Sequence, residues 1–195
     1  MTSDRQVLVV GGDRVEIAAH NCFACGTRNE HGLRLDLSLE PGRASTDVTL
    51  DPRFEGWEGI AHGGILATIL DEVMAWSLVA TDAWGVTARM RVDFRAPVAI
   101  GERLRAEGRL VEARRRVFRT TGTVASESTG RIVATAEATY VAAPPDRKRK
   151  LQERYAFRRR TSVTEGPDGP GDADGHDPRI RERPTEAVTV GVEHG

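Results

Sequence analysis

Residues 62–85 read HGGILATILDEVMAWSLVATDAWG, and the fold turns on how this stretch is read. After Gly63 and Gly64 the helix formers continue without a breaker, predicting a helix that starts at Gly63, runs about 17 residues and ends near Asp82. On a helical wheel Ile65, Leu66, Ile69, Leu70, Val73, Met74, Trp76 and Leu78 cover nearly every direction. That is the pattern of a helix buried all round, so a sheet must wrap it. Its only charges are Asp71 and Glu72. A buried carboxylate is costly enough to require a partner or a shifted pKa, which makes this pair a candidate site. In the bland alternative one acid reaches solvent at a sheet edge while the other bonds a neighbouring Thr, Trp or backbone group.

The flanking segments supply the sheet. Leu33, Leu35, Leu37 and Leu39 alternate with polar residues, Pro41-Gly42 turns, and Ala44, Thr46, Val48 and Leu50 repeat the alternation, predicting an antiparallel hairpin. Val86, Ala88, Met90, Val92 and Phe94 then alternate with Thr87, Arg89, Arg91, Asp93 and Arg95 as one apolar-faced strand, ended by Pro97. Further strands are expected at 103–113, 116–126 and 131–141. Short connections favour antiparallel pairing, so the fold class is α+β, an antiparallel sheet around one long central helix.

Composition changes at Pro144-Pro145. Residues 147–160 carry eight Lys or Arg against one acid, Glu153, and 161–195 lack any aromatic residue. The expected organisation is an N-terminal extension over 1–19, the folded domain over 20–143, a basic segment over 144–160 read as a solvated helix end, and a disordered tail over 161–195. The formal net charge of -1 in 195 residues gives no global basic excess to attract nucleic acid. No apolar run approaches a membrane span and the first residues lack a signal-peptide pattern, so a cytoplasmic protein without membrane or nucleic-acid partners is expected.

His62-Gly63-Gly64 opens the helix where first-turn N–H groups lack intrahelical partners and no side chain blocks a ligand, so this end can hold a developing oxyanion. His62 can equally be a residue that only hydrogen-bonds the turn. Gly63 and Asp71 stand about 12 Å apart along a helix axis, too far to share one small reacting carbonyl. Two copies antiparallel across a two-fold axis would bring Gly63 of one toward Asp71 of the other. Cys22 and Cys25 form a lone CxxC, and two ligands do not close a zinc site, so no metal is expected and packing of the turn is the preferred role.

These residues resemble the hot-dog-fold thioesterases, in particular the PaaI-like branch, whose helix begins HGG with an acid nine positions after the His, as His62 and Asp71 stand here. CFACGTRNEHGL, GIAHGGILATILDE and VDFRAPV are similar to that family's opening, helix and following strand, and the resemblance spans about residues 20–142. It implies hydrolysis of acyl-CoA thioesters without a cofactor, by a homodimer or homotetramer with sites at the dimer interface. On this resemblance Asp71 is general base or nucleophile, the Gly63 N–H polarises the thioester carbonyl, and His62 with Gly64 shapes the helix end. Arg95, with Arg114, Arg115 and Arg116, is a candidate for the CoA phosphates.

The chain departs from that pattern at Gly56, six residues before His62, where related enzymes often carry Asn or Gln to orient water. Glu55 is a candidate substitute, and Glu72 a second candidate beside Asp71, although adjacent helix positions point about 100° apart and cannot share one role. A non-catalytic acyl-CoA-binding protein is therefore the rival reading. Hydration of enoyl thioesters ranks last, because His20 and His31 lack the context it needs.

Overall fold

The helix forms where the apolar cylinder predicts it. In the structure, a computed structural model that describes residues 5–10, 13–155 and 158–159, helix α1 spans Gly63–Val79 and buries Leu66, Ile69, Leu70, Val73, Met74, Trp76, Ser77 and Leu78. Its polar Ser77 is satisfied locally, donating its hydroxyl to the Met74 carbonyl at 2.7 Å. The tail over 161–195 lies outside the described residues.

Before α1 come β1 (Arg5–Val10), β2 (Asp13–Ala18), β3 (Ser38–Glu40), β4 (Arg43–Thr49), β5 (Glu55–Trp57) and β6 (Ile60–Ala61). After it come β7 (Gly85–Phe94), β8 (Arg103–Arg114), β9 (Val117–Ser126), β10 (Ile132–Ala142), a second helix α2 (Pro145–Tyr155) and β11 (Arg158–Arg159). Among the described residues nine strands form one sheet in the order β11-β2-β1-β3-β4-β8-β9-β10-β7, while β5 and β6 pair separately. All neighbours in the large sheet are antiparallel except β1 and β3. This is the α+β hot-dog fold, a sheet wrapped around a central helix.

Two details differ from expectation. Within 1–19, expected as an extension, β1 and β2 pair antiparallel, with Leu8, Val15 and Ile17 buried. The alternation at 33–39 does bury Leu35, Leu37 and Leu39, but only Ser38–Glu40 pairs with β4. The Leu33 and Leu35 N–H groups instead donate to the Phe23 and Ala24 carbonyls, at 2.8 and 2.9 Å, which ties this segment to the CFAC turn.

The sheet face under α1 consists largely of small residues: Ala106 and Gly108 on β8, Gly122 on β9, and Ala134, Ala136 and Ala138 on β10. Large helix side chains fill the space those positions leave. Gly108 and Gly122 are register partners, and a Cβ on Gly108 would lie 2.4 Å from the Val73 carbonyl carbon and oxygen. One on Gly122 would meet only the mobile ends of Leu70 and Met74, at 3.0 and 3.1 Å. Gly108→Ala is therefore expected to cost about 1–3 kcal/mol by pushing the helix off the sheet, and Gly122→Ala less. Guanidinium unfolding checks this, as a fall in midpoint at unchanged slope.

Candidate functional site

Asp71 sits in the middle of α1, half-buried, facing the edge of the sheet formed by β7 and β10. Its Oδ1 accepts hydrogen bonds from the Thr87 hydroxyl at 2.8 Å and the Tyr140 hydroxyl at 2.9 Å. The Tyr140 hydroxyl also lies 3.1 Å from the Asp71 backbone carbonyl. Burial, reinforced by the charge of Asp71, pushes the Tyr140 phenol well above its ordinary pKa, so it remains a donor. Among the described residues nothing bonds Oδ2. One oxygen is thus fixed and the other is open to a proton donor.

A register shift places the two hydroxyls. Along β10 and β7, Thr139 pairs with Arg89 but Tyr140 pairs with Thr87, so Ala88 is an extra residue on β7. The bulge turns Thr87 toward Asp71 and Val86 outward, leaving Val86 66% exposed although the alternation puts it on the apolar face with Met90 and Val92. Neither Tyr140 nor Thr87 is singled out by sequence reasoning. Both lie in strands, and the bulge that aims Thr87 leaves no mark in a period-2 pattern.

At the helix start, His62 is the N-cap, its Nδ1 accepting from the Gly64 N–H at 2.9 Å. That consumes one first-turn donor, while the Gly63 N–H keeps no acceptor among the described residues. A Cβ on Gly63 would lie 3.3 Å from the Phe94 ring, so Phe94, at the end of β7, covers this helix end. Gly56 packs on His62, where a Cβ would stand 3.0 Å from the His62 Cα. Glu55 accepts from the Gly59 N–H and so closes its own β5–β6 turn. Arg95 is exposed beside Phe94 and lies 3.9 Å from Asp93. Arg114, Arg115 and Arg116 line an open groove at the β8–β9 turn that does not include Asp71.

Glu72 faces a different set of groups from Asp71. Its Oε1 accepts from the Trp76 indole N–H at 2.7 Å, and its two oxygens lie 3.9 and 3.7 Å from the Cys22 sulfur. Burial, and then the negative charge of Cys22, raises the Glu72 carboxyl to about 7. The Cys25 thiol, with the backbone amides of Cys25 and Ala24, lowers Cys22 to about 5, and Cys25 itself is pushed up. The structure therefore joins His62, Gly63 and Gly64 at one helix end, sets Asp71 two turns away, and takes Glu72 to the CFAC turn.

Residues 58–133 match the family model of the thioesterase superfamily. The chain is similar to the curated human acyl-coenzyme A thioesterase 13, 23% identical over 100 residues, which span 50% of this chain and 71% of that one. Among solved structures, a Streptococcus mutans protein bound to acetyl CoA superposes with TM-score 0.54 at 24% identity, over 56% of this chain and 88% of that chain. The Escherichia coli PaaI protein superposes with TM-score 0.55 at 18% identity, over 57% and 81%. At these identities the superpositions speak to the fold.

Tyr140→Phe removes the donor to two Asp71 oxygens and is expected to lower the unfolding free energy by about 1–3 kcal/mol, since the groups left behind are partly buried. Thr87→Val, at the open edge, should cost about 1 kcal/mol or less. Denaturant titration of both variants distinguishes this network from one with no energetic content, in which Tyr140→Phe unfolds like the wild type.

Proposed function

We propose that the protein hydrolyses acyl-CoA thioesters to the free acid and CoA, with Asp71 as general base and Gly63 of a second copy as the oxyanion donor. The observation that carries this is the Asp71 carboxylate, half-buried, with Oδ1 held by Thr87 and Tyr140 and Oδ2 without a partner among the described residues. Support comes also from the family match over residues 58–133 and from the likeness to human acyl-coenzyme A thioesterase 13.

Water bonded to Oδ2 gives its proton to Asp71 as its oxygen attacks the thioester carbon. The carbonyl oxygen, becoming an oxyanion, takes the Gly63 N–H, the first-turn donor that His62 leaves free. Collapse breaks the C–S bond, the acid leaves, and the CoA thiolate receives the proton held by Asp71. Asp71 as a nucleophile would pass instead through an anhydride.

A single chain keeps Gly63 and Asp71 about 12 Å apart. A second copy related by a two-fold axis at strand β7 supplies the missing half. β7 ends the sheet with no strand beyond it among the described residues, and its Phe94 and Val86 are 55% and 66% exposed. The proposed unit is a homodimer or homotetramer with acyl-CoA at the interface, Arg95 near the phosphates, and a cytoplasmic location. No helix among the described residues is long and apolar enough to cross a membrane. Gly56 favours a second reading, a binding protein without turnover, because its packing on His62 leaves no side chain there to orient water.

Release of CoA from aliphatic and aromatic acyl-CoAs, followed with a thiol-trapping dye, separates the two. Wild-type turnover with a loss of about 10²-fold or more in kcat for Asp71→Asn is the expected result. Tight acyl-CoA binding without turnover across the panel would establish the binding protein. Sedimentation is expected to find a dimer or tetramer, and a monomer of undiminished activity would rule out the shared site.

A further inference from the structure

The hydrolysis above makes no use of the cluster that Glu72 forms with the CFAC turn, and the inference here stands independently of it. We propose that Cys22, Cys25 and Glu72 bind a divalent thiophilic metal ion, Zn²⁺ by the character of the donors, with water in the fourth position.

The donor atoms of the three residues all lie within 4.8 Å of one another, although Glu72 comes from the helix and the cysteines from a turn on another part of the chain. A tetrahedral Zn²⁺ holds sulfur about 2.3 Å and carboxylate oxygen about 2.1 Å away, which sets the S···O edge at about 3.6 Å. The Cys22 sulfur is already 3.7 Å from Glu72 Oε2. Because Oε1 is taken by the Trp76 indole, Oε2 is the oxygen left for a metal.

The surroundings hold the donors in place as an outer shell does. The Gly26 N–H closes the turn on the Cys22 carbonyl at 3.0 Å. Gly26 admits no other residue, since a Cβ would lie 2.4 Å from the Cys22 nitrogen and the His20 carbonyl oxygen. His20 Nδ1 accepts the Cys22 N–H at 3.3 Å, which leaves its Nε2 proton toward the Cys25 sulfur, 3.9 Å away. Tyr155 of α2 roofs the cluster, its ring centroid 4.9 Å from that of His20 and 6.0 Å from that of Trp76.

Charge supplies the motive. Two thiols and a carboxyl are gathered in a largely enclosed space, and among the described residues no Lys or Arg pairs with Glu72. A buried acidic group without a cation is costly, and a divalent ion would offset most of the negative charge that the set carries once the thiols release their protons. Two thiolates with a carboxylate suit Zn²⁺ over the harder Mg²⁺ or Ca²⁺.

The test uses the full chain, reduced, stripped with a chelator and titrated with Co²⁺. The expected result is one equivalent bound, with a thiolate-to-cobalt charge-transfer band and strong four-coordinate d–d bands, both lost when Zn²⁺ displaces it. Cys22→Ser and Cys25→Ser should abolish the charge-transfer signature, and Glu72→Gln should weaken Co²⁺ binding at least ten-fold with far-UV circular dichroism unchanged. Should the cysteine variants misfold, alkylation of the wild-type thiols serves instead, with Zn²⁺ expected to slow the modification of both. Absence of the cobalt band in folded wild type overturns the site, as do equal alkylation rates with and without Zn²⁺. A Cys22–Cys25 disulfide whose reduction restores no metal uptake overturns it too, and unchanged affinity in Glu72→Gln removes Glu72 from the ligand set.

Discussion

The structure depends on burying a helix that carries two adjacent carboxylates. Helix α1 is apolar nearly all round, and the buried face of the sheet carries Ala106, Gly108, Gly122, Ala134, Ala136 and Ala138, with Gly108 where the two backbones come closest. Apolar contact of that extent is the dominant favourable term in folding, yet it carries Asp71 and Glu72 out of water with it. Neither acid is paired with Lys or Arg among the described residues. Asp71 is met by uncharged donors instead, the Thr87 and Tyr140 hydroxyls, while Glu72 takes the Trp76 indole N–H and lies against the Cys22 sulfur. What separates them is depth and direction. Asp71 keeps one oxygen open at the sheet edge, whereas Glu72 is enclosed beneath Tyr155, where burial lifts its pKa to about 7.

Much of the architecture was legible because burial imposes a period. The all-round apolar pattern at 63–79 gave the helix, and the period-2 runs gave β4, β7, β8, β9 and β10 within a few residues. The strands β1 and β2 have their mark in the sequence too, as the runs VLVV and RVEIA. What period cannot carry is a change of phase. The extra residue Ala88 reverses which of Val86 and Thr87 faces inward, so the alternation places the hydroxyl that holds Asp71 on the outward face. Tyr140 was hidden for a related reason, since a Tyr in a strand reads as core until its hydroxyl is located.

The acids themselves are legible as candidates, whereas the roles of their neighbours depend on turn geometry or on partners distant in sequence. His62 proves to be the N-cap, Glu55 is tied to the Gly59 amide, and Glu72 meets cysteines that the sequence gives no reason to set beside it. The departure at Gly56 also gains a physical basis. His62 occupies the space above it, so an amide side chain at that position would need the N-cap to move.

The rise of an α-helix makes this chain half of the proposed site. At 1.5 Å per residue no rotamer brings the Gly63 amide to the Asp71 carboxylate of the same helix. Both nevertheless border strand β7: Asp71 through Thr87 near its start, and Gly63 through the Phe94 ring at its end. An antiparallel copy laid along that edge exchanges the two ends, setting each Phe94-covered helix terminus against the other chain's Thr87. The same pairing would cover Phe94 and satisfy a row of strand amides and carbonyls that have no strand beside them among the described residues, a liability that proteins seldom leave open. Stability and chemistry thus favour one arrangement, because the edge strand that needs a partner is the strand that borders both halves of the site.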